Sequence, residues 1–386
     1  MAGDDQGRAR RRLEALLGVP ATEGNSVEVL RNGERIFPAM LEAIRSAERT
    51  VDLLTYVYWD GWPAEAFAEA LAGRAHAGRR VRVLVDAVGG ARMPRPVAQT
   101  MRSAGVDLCL FRPPWLRSPL THNHRTHRKV LVVDGLVAFT GGVGIAQEWQ
   151  GDARGPSEWR DTQIRVRGPA VAGLSAAFVQ NWAETGRTLE DVGDQYPAIP
   201  AAGDQVVQVV RGSASIGWDD IHTAWYALLA AAQQRVTLQT AYFAPDPEFL
   251  DWVRRASERG VQVQLLLPGP HYDKALSRLA SERYYDTLLG AGVELWRYQP
   301  TMLHTKILTV DAEVAMIGSS NFNRRSLDHD EEVACILLGG AAPGALLADF
   351  EADLRRSEPV EPARWRARDL RRRVGEQAIR PLGRFL

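Results

Sequence analysis

One segment of the chain occurs twice, and this duplication constrains the fold more than any other feature. Residues 127–141 align without gaps with residues 304–318, and each copy carries the pattern H-x-K-x4-D followed at the same distance by glycine. A unit repeated over its whole length indicates a chain built from two similar halves. The repeated residues are His127, Lys129 and Asp134 in the first copy and His304, Lys306 and Asp311 in the second.

The segments around the two copies also repeat. Each half reads as helix, apolar strand, helix, strand, helix, strand and then the motif hairpin, with Asp-Gly or Asp-Ala at its turn. Strands that alternate with amphipathic helices predict the α/β class, with largely parallel strand pairing and two α/β/α sandwich domains related by a pseudo-twofold axis. We expect a basic N-terminal segment at 1–24, a first domain at 25–190, a linker at 191–204, a second domain at 205–358 and a basic amphipathic tail at 359–386.

The motif residue types suit chemistry on a phosphodiester. Residues i and i+2 of a strand point to the same face, so His127 lies beside Lys129 and His304 beside Lys306. Two lysines can neutralise phosphate oxygens, while one histidine attacks phosphorus and the other transfers protons. Asp134 and Asp311 fall at the far turn, where we expect them to fix the hairpin rather than to touch substrate. The arrangement needs no cofactor and no metal ion.

Two acidic residues follow the motifs at a similar place in each half. Asp161 and Glu332 each precede a strand with alternating apolar residues, so each can return beside its motif hairpin and hydrogen-bond a histidine. Catalysis requires one neutral and one protonated imidazole, and different carboxylate neighbours could produce that difference.

The paired motifs, the sequence GSSN at 318–321 followed by RRSL, and WRDTQIRVRGPAV after the first motif resemble the phospholipase D superfamily. Within it the chain is most similar to bacterial cardiolipin synthases that lack transmembrane helices, over about residues 25–355. The resemblance implies a phosphohistidine intermediate, His127 as nucleophile and His304 as acid and base. It also implies phosphate binding by Lys129, Lys306, Ser319 and Asn321, and it places Glu332 where the family has a histidine-orienting carboxylate.

One departure from the family pattern affects the first half. Gly142 and Gly144 stand where the second half has Ser319 and Asn321, so one phosphate-binding amide is missing. An asymmetric site is the expected consequence.

Several other residues are candidates for a place near the site. We place His122, His124 and Arg125 in an entrance loop, where Arg125 either attracts the anionic head group or is an ordinary solvated charge. Tyr56, Tyr58 and Tyr242 end strands near the expected pocket, but as packing aromatics they would have no role in binding.

The composition of the chain limits the classes of partner and the cellular compartment that we expect for it. The formal net charge is +0, which gives no overall field for nucleic acid, and no apolar run reaches the roughly 18–20 residues that span a bilayer. The N-terminus is too polar for a signal peptide. Cys109 and Cys335 lie in apolar runs and are expected to be buried free thiols. We therefore expect a cytoplasmic protein.

The C-terminal sequence suggests where in the cell it acts. From Arg364 onward it carries eight arginines against two acids, interspersed with apolar residues. That pattern fits an anionic membrane surface, or a helix packed on the second domain with a solvated basic face. The N-terminal RARRRLEALLG has a weaker version of the same pattern. The expected partners are phosphatidylglycerol and the inner face of the cell membrane.

The positions of the lysines support a specific role for the two motifs. Only Lys129, Lys274 and Lys306 occur among 47 basic residues, and two of the three fill the same position of the repeat.

Three functions remain open from the sequence. The favoured one is transfer of a phosphatidyl group between two phosphatidylglycerol molecules. With water as acceptor, the same residues would make a phospholipase D that produces phosphatidic acid. A metal-independent nuclease of the superfamily and a non-catalytic lipid-binding protein are the further alternatives.

Overall fold

The computed structural model describes residues 2–113, 124–187, 197–213 and 218–369. Its helices are α1 Ala2–Leu17, α2 Asn32–Arg45, α3 Trp62–His76, α4 Arg95–Ser103, α5 Val171–Ala183, α6 Asp220–Ala231, α7 Pro247–Glu258, α8 Ala275–Glu282, α9 Tyr285–Gly290, α10 Arg324–Asp328, α11 Ala342–Leu354 and α12 Pro362–Arg366.

The strands alternate with these helices through both halves. They are β1 Thr22–Arg31, β2 Thr50–Thr55, β3 Arg80–Asp86, β4 Asp107–Phe111, β5 Arg125–Thr126, β6 Val130–Val133, β7 Val137–Gly141, β8 Thr162–Arg167, β9 Gln205–Ser213, β10 Trp218–Asp219, β11 Arg235–Thr240, β12 Phe243–Ala244, β13 Gln262–Pro268, β14 Glu294–Tyr298, β15 Lys306–Val310, β16 Val314–Gly318, β17 Phe322–Asn323, β18 Asp330–Leu338 and β19 Ser357–Pro359.

Each half builds one sheet with the same strand order. In the first half the order is β4-β3-β2-β6-β7-β8-β1. In the second half β14-β13-β11-β15-β16-β18-β9 repeats it. The start of β1 pairs with β9 and so joins the two sheets. The predicted α/β class with two similar domains is confirmed.

The prediction of largely parallel pairing was wrong. Parallel pairs occur where a helix connects the strands, as in β2-β3-β4 and β11-β13-β14. The motif hairpins and the strands after them add antiparallel neighbours, because two-residue turns can only connect antiparallel strands. Each sheet is therefore mixed.

Apolar side chains form a layer on both faces of each sheet. Helices α2, α3 and α4 cover the outer face of the first sheet, and α6, α7 and α9 cover that of the second. The inner faces share one core, in which Val132 and Ile164 of the first half belong to the same cluster as Ile317 and Val333 of the second. Helices α5 and α11 complete this shared core, which fixes the two halves against each other.

The two basic ends of the chain differ in how much can be described. In α1, Leu13 and Leu17 are buried in the core of the second half, so this apolar face is used for packing. At the other end Trp365 is buried against Tyr285, with ring centroids 4.8 Å apart. Residues 370–386 of the predicted amphipathic tail and residues 188–196, which include part of the predicted linker, lie outside the described residues.

Both cysteines are free, with Cys335 buried and Cys109 half-buried. Within the ranges that the structure describes, no helix has the length and apolarity needed to cross a membrane.

Candidate active site

The two motif histidines open onto one cavity of about 220 Å³ between the halves. His127 and Lys129 immediately precede β6, and His304 and Lys306 lie at the start of β15, so the same end of each motif hairpin faces the cavity. Other parts of the wall come from segments that follow β2 and β11, which run opposite to the motif strands, and from the segments that follow β3, β7, β13 and β16. The duplication therefore places the equivalent ends of the two motif hairpins at the same cavity.

Each histidine is held by a carboxylate from the opposite half. Nδ1 of His127 lies 2.9 Å from Oε1 of Glu332, and Nδ1 of His304 lies 2.8 Å from Oδ2 of Asp161. The sequence predicted that these carboxylates bond histidines but did not specify the exchange between halves. An ionised carboxylate can only accept, so Nδ1 carries the proton and Nε2 keeps a lone pair for chemistry.

Backbone pairing explains the exchange. The His127 amide donates to the Glu331 carbonyl at 2.9 Å, which extends the parallel pair β5-β18. In the same way the His304 amide donates to the Arg160 carbonyl at 2.7 Å. Each histidine is thus paired with the residue just before the orienting carboxylate of the other half.

Ser319, which the sequence predicts to bind phosphate, has its hydrogen-bond partners within the protein. Its side chain is completely buried and does not line the cavity. Ser319 Oγ donates to Oε2 of Glu332 and accepts from the Val333 amide at 3.1 Å. Ser319 therefore acts on the site through Glu332 and His127.

The glycines of the first half leave space for Asp161 and for Trp149. A Cβ atom at Gly142 would lie 2.3 Å from Oδ1 of Asp161, and one at Gly144 would lie 3.0 Å from the Trp149 ring. Nε1 of Trp149 donates to Oδ2 of Asp161 at 2.8 Å, which is the role that Ser319 has toward Glu332. The site is asymmetric because an indole replaces both the hydroxyl and the amide.

The two motif lysines are buried beside the histidines. Lys129 lines the cavity, and its Nζ donates to the His127 carbonyl at 2.7 Å. Lys306 Nζ lies 3.3 Å from Nε2 of His304. Burial lowers the pKa of Lys129 to about 8 and that of Lys306 to about 7.

The protonation states of the histidines are alike. Burial, reinforced by Lys129, lowers the pKa of His127 to about 4, and burial with Lys306 lowers that of His304 to about 3. Burial alone would raise the pKa of Asp161 and Glu332, but the adjacent histidines and lysines hold both below their ordinary values. Both imidazoles are therefore neutral in the empty site, and the expectation of one neutral and one protonated imidazole stays a prediction for the enzyme with substrate bound.

Asn321 lines the cavity, and its Oδ1 has no hydrogen-bond partner among the described residues. The motif aspartates lie at the opposite end of the hairpins. Asp134 accepts hydrogen bonds from the amides of Glu48, Arg49 and Thr50, at 2.7–2.9 Å. Asp311 accepts from residues 233–235 in the same way. Both aspartates have a positive φ, as residues of a tight turn can. Their hydrogen bonds connect each hairpin turn to the start of the neighbouring strand, β2 in the first half and β11 in the second.

The structure also places the remaining candidates. Arg125 is buried, donates to the Arg112 carbonyl at 2.9 Å and lies 3.8 Å from Asp86, so its assignment to a solvated entrance loop was wrong. His124 packs against His329, and His122 lies outside the described residues.

The three tyrosines separate into two groups. Tyr56 and Tyr242 line the cavity, whereas the hydroxyl of Tyr58 donates to the Ala64 carbonyl inside the core.

Sequence reasoning missed several residues of the cavity wall. Trp149 and Trp159 pack on the His304 ring at 5.1 and 5.3 Å, and no pattern in the sequence distinguishes them from core aromatics. Lys274 also lines the cavity, and the scarcity of lysine was the signal that could have found it. Asp330 is buried in the same wall, and burial raises its pKa to about 8.

Two α/β halves that bring a pair of histidine–lysine couples to one cavity define a phosphodiester-transferring enzyme of the phospholipase D type. A family profile described as "Cardiolipin synthase, PLD-like domain" matches residues 40–149 and 226–354. The chain belongs to this cardiolipin synthase family of phospholipase D-like proteins.

Individual relatives agree with this assignment. Cardiolipin synthase from Geobacillus sp. WCH70 is 33% identical over 95% of this chain and 74% of its own length. Cardiolipin synthase 1 from Bacillus anthracis is 30% identical over 96% of this chain and 74% of its own length.

Solved structures show the same fold at low sequence identity. Phosphatidylserine synthase from Haemophilus influenzae Rd KW20 superimposes with a TM-score of 0.69 at 14% identity, covering 99% of this chain and 100% of that one. Polyphosphate kinase from Porphyromonas gingivalis gives a TM-score of 0.59 at 16% identity, over 88% of this chain and 49% of that one.

Proposed function

We propose that this protein is a cardiolipin synthase, which transfers a phosphatidyl group from one phosphatidylglycerol molecule to a hydroxyl of a second and releases glycerol. The observation that carries the proposal is the single cavity onto which His127 and His304 both open, each oriented by a buried carboxylate. The relatives named cardiolipin synthase, matched over nearly the whole chain, support the lipid substrate.

In the first step Nε2 of His127 attacks phosphorus. A phosphorus–nitrogen bond forms while the bond to the glycerol oxygen breaks, and His304 gives its proton to the departing oxygen. The Nδ1 bond of His127 to Glu332 stabilises the positive charge that develops on its ring.

In the second step His304 acts in the opposite direction. It takes the proton from a hydroxyl of the second phosphatidylglycerol, whose oxygen forms the new bond to phosphorus as the bond to His127 breaks. The enzyme returns to its starting protonation state, which is what microscopic reversibility requires of one group that serves as acid and then as base.

Binding of the substrate itself favours the protonated form of His304. In the empty site burial and the two ammonium groups keep both imidazoles neutral. A bound phosphodiester adds a negative charge within the cavity, which favours the protonated forms of nearby groups. Neutral His127 is then ready to attack, and His304 gains its proton as the anion binds.

Charge stabilisation comes from the lysines. We infer that the Lys129 and Lys306 ammoniums and the Asn321 amide bind the nonbridging phosphate oxygens, since Lys129 and Asn321 line the cavity and Lys306 lies against the His304 ring. Preorganised positive charge in a water-poor cavity is the main source of rate enhancement for such reactions.

We also propose that the protein acts at the cytoplasmic face of the cell membrane as a peripheral protein. The support is compositional: eight arginines and several apolar residues follow residue 363, and phosphatidylglycerol membranes are anionic.

The direct test is incubation of the purified protein with phosphatidylglycerol vesicles, with lipid products resolved by mass spectrometry. The proposal predicts cardiolipin and glycerol from the wild type and unchanged lipid with His127→Ala. Phosphatidic acid alone would assign a hydrolase, and unchanged lipid with the wild type would refute the lipid substrate. Metal-independent nicking of plasmid DNA at a comparable rate would instead indicate a nuclease.

A further inference from the structure

The third lysine of the chain lies on the acid–base side of the cavity. Lys274 Nζ lies 5.3 Å from the centre of the Tyr242 ring, and that ring lies 6.2 Å from the ring of His304. Lys274 is exposed at the cavity wall, and this ring contact is the interaction that the structure gives its ammonium. The Tyr242 ring therefore lies between Lys274 and His304, the residue that deprotonates the acceptor hydroxyl in the proposed reaction.

The same wall contains an uncapped helix N-terminus. Helix α8 has eight residues and begins directly after Lys274, with no side-chain hydrogen bond at its N-cap. The first amides of a helix have no partner within the helix, and together with the helix dipole they favour an anion. Ser277 in this first turn is 5% exposed and lines the cavity.

One carboxylate lies close to these groups. Asp273 also lines the cavity, but its Oδ2 accepts from the Tyr242 hydroxyl at 2.6 Å. This bond holds the Tyr242 ring between His304 and Lys274.

We propose that Lys274, Ser277 and the N-terminus of α8 form a second phosphate-binding subsite, which holds the phosphodiester of the acceptor lipid. The inference rests on the proposed function. A phosphatidylglycerol acceptor presents its hydroxyl to His304 and carries its own phosphate about three carbon atoms away, on the side where Lys274 lies. Water and simple alcohols have no such phosphate, so the subsite selects an anionic lipid as acceptor.

The experiment measures how the phosphoenzyme divides between two acceptors. Vesicles of phosphatidylglycerol are supplied with a fixed concentration of ethanol, and the ratio of cardiolipin to phosphatidylethanol is determined by mass spectrometry. Because both products arise from one intermediate, the ratio is independent of the donor step.

Lys274→Met should lower this ratio roughly 10- to 100-fold, the range expected for a lost charge-assisted hydrogen bond. Ser277→Ala should lower the ratio by a smaller factor, and Lys274→Arg should largely restore it. Arg79→Gln, which removes an exposed charge away from the cavity, should leave the ratio unchanged.

Three results would overturn the inference. They are an unchanged ratio in both Lys274→Met and Ser277→Ala, an equal loss of both products in Lys274→Met, and a wild type that makes phosphatidylethanol but no cardiolipin. None of these three results would contradict phosphodiester transfer by this protein. A wild type that consumes no phosphatidylglycerol would refute the proposed function, and the subsite with it.

Discussion

The orienting carboxylates determine which nitrogen of each histidine reacts. Glu332 and Asp161 each accept from a second side chain, Ser319 in one half and Trp149 in the other. These two donors have the same effect although they are unrelated in sequence, because both fix the carboxylate that fixes the imidazole.

Removing either donor should therefore lower the catalytic rate. Ser319→Ala and Trp149→Phe should each reduce kcat about fivefold with little change in KM, since about 1 kcal/mol is typical of one buried hydrogen bond. Steady-state kinetics on phosphatidylglycerol vesicles provides the measurement, with Ser103→Ala on the exposed end of α4 as control. A rise in KM with unchanged kcat in Ser319→Ala would instead indicate direct phosphate contact.

The lysines should contribute to transition-state binding. Lys129→Ala and Lys306→Ala should each cost about 3–4 kcal/mol in kcat/KM, by analogy with removal of one preorganised donor from an anion-stabilising site. The folded state should persist, as judged by the melting transition. Wild-type kcat/KM in either variant would contradict the proposed role.

The pH dependence should follow the lowered pKa values. A soluble diester with nitrophenol leaving groups needs no general acid, so its kcat/KM reports His127 and the lysines of the free enzyme. Because His127 is neutral above about pH 4, activity should not fall between pH 7 and about 5. It should fall as pH rises through about 7 to 8, where Lys306 and Lys129 lose their protons. An acid limb near the ordinary histidine value of about 6.5 would contradict the burial argument.

At the level of secondary structure, the motif hairpins were the part that sequence predicted best. Their apolar alternation and turn residues are local signals, and β6-β7 and β15-β16 form with those turns. The pairing of His127 with Glu332 and of His304 with Asp161 could not be predicted, because it depends on how the two sheets meet. Trp149 was missed for the same reason, since it has no local pattern that indicates the cavity, whereas the scarcity of lysine could have indicated Lys274.

The turn aspartates should affect stability more than chemistry. Asp311→Ala leaves three backbone amides at the start of β11 without their acceptor, and should lower the free energy of unfolding by about 1–3 kcal/mol. Glu313→Ala in the same turn, where the side chain is exposed, should change it by less than about 0.5 kcal/mol. Urea denaturation followed by circular dichroism measures both. Equal free energies of unfolding for the two variants would show that Asp311 does not stabilise the protein through these three amides.

Across the whole molecule, a buried ion pair holds the halves in register at the site. Arg160 Nε donates to Oδ2 of Asp353 at 2.8 Å, and the Arg160 carbonyl accepts from the His304 amide. The same residue thus links α11 of the second half to the motif segment. The shared core around it is the reason why two similar halves make one site rather than two.

Asp353→Ala should be severely destabilising, because it leaves the completely buried Arg160 without its main partner. A loss of about 3–5 kcal/mol in unfolding free energy is expected. Glu351→Ala on the same helix breaks only a half-buried pair with Arg235 and should cost less than about 1 kcal/mol. Similar losses for the two variants would show that the buried pair does not hold the halves together.

The proposed reaction requires His127 to form a covalent bond to phosphorus at a site shared by both halves. The most direct measurement uses a phosphatidyl ester of nitrophenol with His304→Ala, because this leaving group departs without an acid but the second step still lacks its base. We predict a burst of one nitrophenol per protein and a phosphatidyl adduct that peptide mass spectrometry assigns to His127, with neither seen in His127→Ala. Steady nitrophenol release with no adduct, or an adduct on another residue, would contradict the mechanism.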